Sequence, residues 1–305
     1  ALSEGLIAVR LTKDTIAPYA YINTQGKVVI RPKTKIPFAF SGGFARTTLF
    51  LDSAGDERLY GVIDKSGKEV FPRELRDFVD FSDGLAYIMK DTVLAYYDTS
   101  FKLKINLGKT IGDRFSEGLA GVMNTDRKFG FIDTTGKQVV PFKFDEISAF
   151  SEGLCKVNNT NKFGYIDRNG NLRINFQYDD ARDFHNKRAF IAHFGEDFTP
   201  FWGIINDNGS GIEDFIFRYF EDYSDSVAAV FQDSLWHYID LDAKPVLPVA
   251  YVQAGSFVDG IAYAYHYADH KGGFINKKGE YLFTIDDFDM LIDFRTGKRY
   301  KKPNY

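Results

Sequence analysis

The chain has 305 residues, 44% hydrophobic and 16% aromatic, with 30 Phe and 18 Tyr, which excludes a disordered chain too apolar-poor to pack a core. A formal charge of −4, from 38 basic and 42 acidic residues, gives no electrostatic footprint for nucleic acid or an anionic membrane. One cysteine, Cys155, excludes an intrachain disulfide framework and a thiolate zinc cage, and no apolar run approaches the ~18 residues of a membrane span.

In chain order the predicted elements repeat. The chain opens at "ALSEGL", already inside the pattern, so the expectation is that a leader or a preceding domain has been removed. Each copy begins with a strand of the type "FSEGLAGV", whose glycine recurs at Gly5, Gly43, Gly84, Gly118, Gly153 and Gly260 and is replaced by Lys187 and Ser226. A second strand follows, with an aromatic and a small residue ahead of alternating apolar ones, as in "KFGFID" and "KFGYID". Its small position is Ala20, Gly61, Ala95, Gly130, Gly164, Gly203 and Gly273, with His237 as the exception. Glycine within a strand marks the close approach of another backbone or ring.

The next element is a four-residue turn, [DN]-x-x-G, starting at Asn23, Asp64, Asp133, Asp167, Asn206 and Asn276, with eroded forms ending in Phe101 and Ala243. Successive starts lie 41, 34, 35, 34, 39, 34 and 36 residues apart. The first side chain caps the turn and the glycine takes a positive φ that fits a bulge between twisted strands. A third strand such as "KQVVP" closes the copy, and Pro32, Pro72, Pro141 and Pro248 place its end at a sheet edge.

The expected fold is therefore all-β: eight tandem three-stranded meanders, which bury apolar faces only by stacking on their neighbours. The copies fall at 1–39, 40–80, 81–114, 115–149, 150–183, 184–222, 223–256 and 257–292, in one domain ending in a cap at 293–305. A short repeat and an extra C-terminal hairpin favour an open superhelical, solenoid-like array; a closed β-propeller, with its longer four-stranded blades, is the alternative.

The motifs "FSEGL", "KFGFID" and "DTTG" resemble the bacterial WG (KWG) repeat family over the whole chain, most strongly from Phe115 to Phe184 and least in copies three and seven. Only Trp202-Gly203 keeps the eponymous dipeptide. The resemblance implies an interaction role in a bacterial protein, exported or envelope-associated, and supplies no catalytic residues.

Acids at the same place in every copy read as structural parts. The pairs Asp145-Glu146 and Asp179-Asp180 recur and read as connectors, although two carboxylates held apart could serve glycoside hydrolysis. "HYADH" (His266, Asp269, His270) is the nearest approach to a metal motif and reads as an exposed polar loop; Cys155 reads as a buried hydrophobe. No metal or cofactor site is expected. Departures from the repeat carry more information. The loop between the first two strands grows to nine residues in copy one (10–18), twelve in copy two (48–59) and ten in copy six (192–201). Copies two and six there combine acids with phenylalanine, which makes Phe50, Asp52, Asp56, Glu57, Phe194, Glu196, Asp197 and Phe198 the candidate partner-binding residues. The resulting expectation is a non-enzymatic scaffold that docks a protein, within an envelope or secretion assembly, at the periplasm or cell surface rather than in the cytoplasm. No nucleic acid and no membrane insertion by this chain are expected. A carbohydrate- or cell-wall-binding module is the alternative, and a carboxylate hydrolase a further one.

Overall fold

The computed structural model describes residues 2–10, 19–31, 38–50, 58–266, 268, 271–284, 290–293 and 298–301. Among these every regular element is a β-strand, paired antiparallel. Two compact units form, Ala1–Phe144 and Asp145–Tyr305. The first holds four sheets in chain order; the second holds four more and a separate hairpin of Met290–Asp293 with Lys298–Lys301. That hairpin is the extra C-terminal element the sequence indicates.

Each sheet is an up-and-down meander, as expected, but five of the eight have four strands. In copies three, five, six and eight the added strand is the connector ahead of the copy's phenylalanine; in copy one it is Leu2–Ser3, which flanks the turn at Glu4-Gly5. In copy five, Glu146–Ile147 pairs with Asn158 and Val157. Such a two-residue strand has no hydrophobic period to betray it. It forms because the first strand otherwise presents an unpaired edge, and backbone polar groups seek partners. Copy seven departs the other way. The run after its turn, with Pro245 and Pro248, makes only isolated bridges, Ile239 to Pro245 and Trp236 to Tyr251.

The "FSEGL" element is not simply a strand opening. Ser116 and Leu119 exchange backbone hydrogen bonds of 2.9 and 3.1 Å around Glu117 (φ +53°) and Gly118 (φ +79°), a type I′ turn. The same pair of positive φ angles recurs in every copy, from Glu4-Gly5 to Asp259-Gly260. The [DN]-x-x-G turn behaves as expected: Asp133 Oδ1 accepts the Thr135 and Lys137 amides at 2.9 and 3.0 Å. The eroded copy-three turn keeps that cap, Asp98 Oδ1 accepting the Ser100 and Lys102 amides.

The strand glycine is required by its partner. A Cβ on Gly164 would sit 2.6 Å from the Ile174 carbonyl oxygen, and one on Gly130 2.6 Å from that of Val140. Opposite Gly130 the third strand bulges, so that Phe129 pairs with Phe144 and Phe131 with Val140, and Pro141 lies inside the bulge where no ladder donor is needed.

Sheets share cores with their chain neighbours. In the second unit Leu154, Tyr165 and Ile174 of copy five pack with Phe184, Ala189 and Ile205 of copy six. The central strand Lys162–Asp167 is buried at its four inner positions, whereas the outer strand Leu172–Tyr178 is exposed at alternate residues.

The copies also alternate. The residue after the small one is Tyr21, Tyr96, Tyr165 and Tyr238 in copies one, three, five and seven. Each hydroxyl donates to the carbonyl of the residue 17 positions on: Phe38, Asp113, Arg182 and Gly255, at 2.6–2.9 Å. Each ring packs on the next copy's Phe40, Phe115, Phe184 or Phe257 at 4.8–5.0 Å. Even copies carry Val62, Phe131, Ile204 and Phe274 there instead. The alternation explains the two eroded turns. In even copies the turn glycine meets the previous copy: a Cβ on Gly67 would lie 2.7 Å from Ile30 Cγ2. In copy one, an odd copy, there is room: a Cβ on Gly26 would meet nothing within 4 Å. Phe101 and Ala243, both in odd copies, fill that space, Phe101 against Phe44, Phe71 and Phe81.

Candidate docking edge of the sixth copy

Most repeated polar side chains are consumed by the architecture. The acid of the type I′ turn reaches the equivalent turn of the next copy. Glu4 accepts the Gly43 amide at 3.0 Å, Asp83 that of Gly118 at 2.7 Å, and Asp225 that of Gly260 at 2.6 Å. Glu152 grips two amides, Asn186 at 2.8 Å and Lys187 at 2.7 Å. This inter-copy clasp was not anticipated from the sequence, although the acid of "SEG" and "SDG" signals it. The connector acids are structural too. Asp145 accepts the Thr160 amide at 3.0 Å. Asp179 pairs with Lys162 at 2.5 Å, faces His193 Nδ1 at 3.3 Å and accepts the Phe194 amide at 3.1 Å. Hydrogen bonds from Lys162, Phe194 and His193 hold its carboxyl below the usual range against a burial effect that raises it. Cys155 is fully buried and its thiol is pushed up to about 12 by burial, the opposite of a nucleophile. In "HYADH" His266 ends a strand, while Asp269 and His270 lie outside the described residues, as do the acids of "IDDFDML". No group of three metal-ligating side chains occurs among the described residues.

Of the candidate partner-binding residues, Phe50 ends the strand Phe44–Phe50, and Asp52, Asp56 and Glu57 lie outside the described residues. Copy six is fully described. Its insertion is shorter as a loop than expected, because the strands Arg188–Phe194 and Pro200–Asn206 lengthen to pair Phe194 with Pro200. The tip is a turn in which Phe198 N–H donates to Gly195 O at 3.0 Å and Asp197 Oδ1 accepts the Thr199 amide at 3.0 Å. Hydrogen bonds from Thr199 hold the Asp197 carboxyl below the usual range. Phe198 occupies the place that glycine takes in the turns after the second strand. Its φ is +58° and it is 81% exposed. A bulky residue in this region is strained by roughly 1–2 kcal/mol. Phe101, at φ +56°, offsets the same strain by packing on three rings. Phe198 shows no such ring contact.

Beside this hairpin lies a cleft of about 510 Å³, lined by Pro200, Trp202, Arg218, Tyr219, Phe220 and Asp222 among others. The guanidinium of Arg182 lies 5.2 Å from the Trp202 ring and 5.6 Å from that of Phe220, and Arg218 lies 4.1 Å from Phe201. The cations are thereby stacked on rings. Burial pushes the Asp222 carboxyl above its usual range, opposed by the charges of His185 and Arg182. Tyr219, at the rim, is 64% exposed. Between Phe194 and Asp222 there are seven carboxylates and a single cation, Arg218, so this segment alone is more acidic than the whole chain at −4. The sequence candidates Phe194, Glu196, Asp197 and Phe198 lie on this hairpin; Tyr219, Arg182 and Asp222, which line the cleft beside it, are not among those candidates. The excess of acids in the segment is a sequence signal for Asp222 alone of these three.

A family model described as WG containing repeat matches residues 19–48, 60–91, 129–163, 163–192 and 202–236, more than half of the chain. The chain belongs to the WG-repeat family. The unmatched stretches include the eroded turns at Phe101 and Ala243, where the repeat departs from its consensus. No curated protein matches this WG-repeat chain in sequence. Among solved structures, a eukaryotic initiation factor superposes with a TM-score of 0.64 at 11% identity, over 99% of this chain and 89% of that one. BamB from Moraxella catarrhalis gives 0.44 at 9% identity, over 86% and 97%. The WD40 β-propeller domain of Doa1 gives 0.32 at 10%, over 67% and 82%. At 11% identity the likeness to the initiation factor is one of fold alone.

Proposed function

We propose that this WG-repeat chain is a non-enzymatic scaffold that docks a partner protein on the sixth-copy edge, within a larger bacterial envelope or secretion assembly. The observation that carries the reading is Phe198, strained and exposed at the tip of a lengthened hairpin. Backbone strain without internal compensation is retained where function uses it. Exposed aromatics flanked by polar groups are typical interface anchors. The acidic surround calls for a partner presenting lysine or arginine beside an apolar residue. The envelope setting rests on the family resemblance, and it predicts recovery in periplasmic or surface fractions.

The test is co-purification from the native host with the unaltered chain and with Phe198→Gly. Glycine fits the turn, so the variant should melt no lower than the parent while losing the captured protein. Capture of the same proteins by both would overturn the docking edge. Binding on a glycan array, with no protein captured, would favour the carbohydrate-binding alternative, for which the exposed Tyr219 is the supporting feature.

A further inference from the structure

A second cavity lies in the first unit, apart in sequence from the docking edge. It is a groove of about 900 Å³ between copies three and four. Met89, Leu107, Ile111, Val122 and Met123 form its apolar wall, and Lys109 and Arg127 stand among its polar lining with Asp91. The groove arises where copy four lacks the added fourth strand. Residues 109–114 make only one bridge, Gly112 to Val122. Their polar groups are nevertheless satisfied: Asp113 N–H donates to Gly121 O at 3.0 Å, Met123 N–H to Ile111 O at 2.9 Å, and the Thr110 hydroxyl to Met123 O. The groove therefore offers little free main chain for strand addition by a peptide, and recognition falls to side chains.

Three features are unexplained by folding. Ile111 is 55% exposed. Arg127 takes φ +60° at the fourth place of a turn whose Asn124 cap accepts the Asp126 and Lys128 amides at 3.0 Å, a place suited to glycine. Lys109 and Arg127 are within ion-pair distance of no carboxylate among the described residues. Two methionines line an apolar surface that adapts to varied shapes, and the volume falls in the range of small-ligand sites. We propose that this groove binds a linear amphiphile, an acyl chain lying on Met89, Ile111 and Met123 with its anionic head held by Lys109 and Arg127. A free fatty acid and a phosphate-headed single-chain lipid share this chemistry.

Isothermal titration of the full chain with decanoate, decyl phosphate and decyltrimethylammonium, each below its micelle concentration, tests it. The expected result is saturable one-site binding of one or both anions, at least about tenfold tighter than the cation. The two anions tell carboxylate from phosphate heads. Ile111→Glu and Arg127→Gly should each weaken anion binding about tenfold or more. Arg127→Gly also relieves the positive φ, so an unchanged or higher melting temperature shows that the loss is not unfolding. Equal affinity for anion and cation, non-saturating heats, or unaltered binding in both variants would overturn the proposal.

Discussion

At the residue scale, positions that look interchangeable between copies are held by different neighbours. Tyr165 donates to the Arg182 carbonyl at 2.6 Å and packs on Phe184 at 4.9 Å. Tyr165→Phe keeps the ring contact and removes the bond, so it should cost about 1 kcal/mol in urea unfolding. The two turn glycines of copies one and two should differ in the same assay. Gly26→Ala meets only its positive φ, whereas Gly67→Ala also drives its Cβ to 2.7 Å from Ile30 and should be destabilised more. Gly164→Ala, aimed at the Ile174 carbonyl oxygen, should cost about 3 kcal/mol. Lys187 is the reverse case. It holds φ +59° where most copies have glycine, and Lys187→Gly should raise stability by about 0.5–1 kcal/mol.

At the scale of the element, the capped turns link stability to pH. Asp64, Asp98, Asp133 and Asp167 have carboxyls held below their usual range, by hydrogen bonds from turn groups such as Ser66, Lys102, Thr135 and Asn171. Since their folded pKa values are depressed, their contribution is complete above the ordinary carboxylate pKa. It is lost as pH falls through the folded values. Melting temperature should therefore decline on acidification below the ordinary carboxylate range. Replacing the four by asparagine, which already serves at positions 23, 206 and 276, should flatten that decline while keeping the cap geometry. The clasp is tested by hydrogen exchange. Glu152→Ala should speed exchange of the Asn186 and Lys187 amides before other amides of copy six.

At the scale of the whole molecule, cores shared between neighbouring copies make stability a sum of nearest-neighbour terms, so damage in one copy is felt first by the adjoining ones. Charge is unevenly spread. The segment from Phe194 to Asp222, which carries the proposed docking hairpin, holds seven carboxylates and one cation, so partner association should slow and weaken as salt is raised. Stopped-flow association rates that stay constant between low and high salt would contradict a basic partner at this edge.

The repeat count, the all-β class, the capped turns and the close-packed strand glycine were determined by the sequence alone, because each depends on local chemistry that returns at a fixed spacing. Turn residues and strand alternation act over a few neighbours, and repetition makes them unmistakable. The alternation of tyrosine in odd copies was legible in principle, but its meaning was not. Only the tertiary structure shows that Tyr165 bridges to copy six, that Glu152 clasps the next turn, and that Phe101 fills space while Phe198 does not. Those distinctions depend on which copies face each other across a sheet stack. Residues of like sequence differ there because their neighbours differ, and a neighbour some 17 or 35 residues away leaves no local mark.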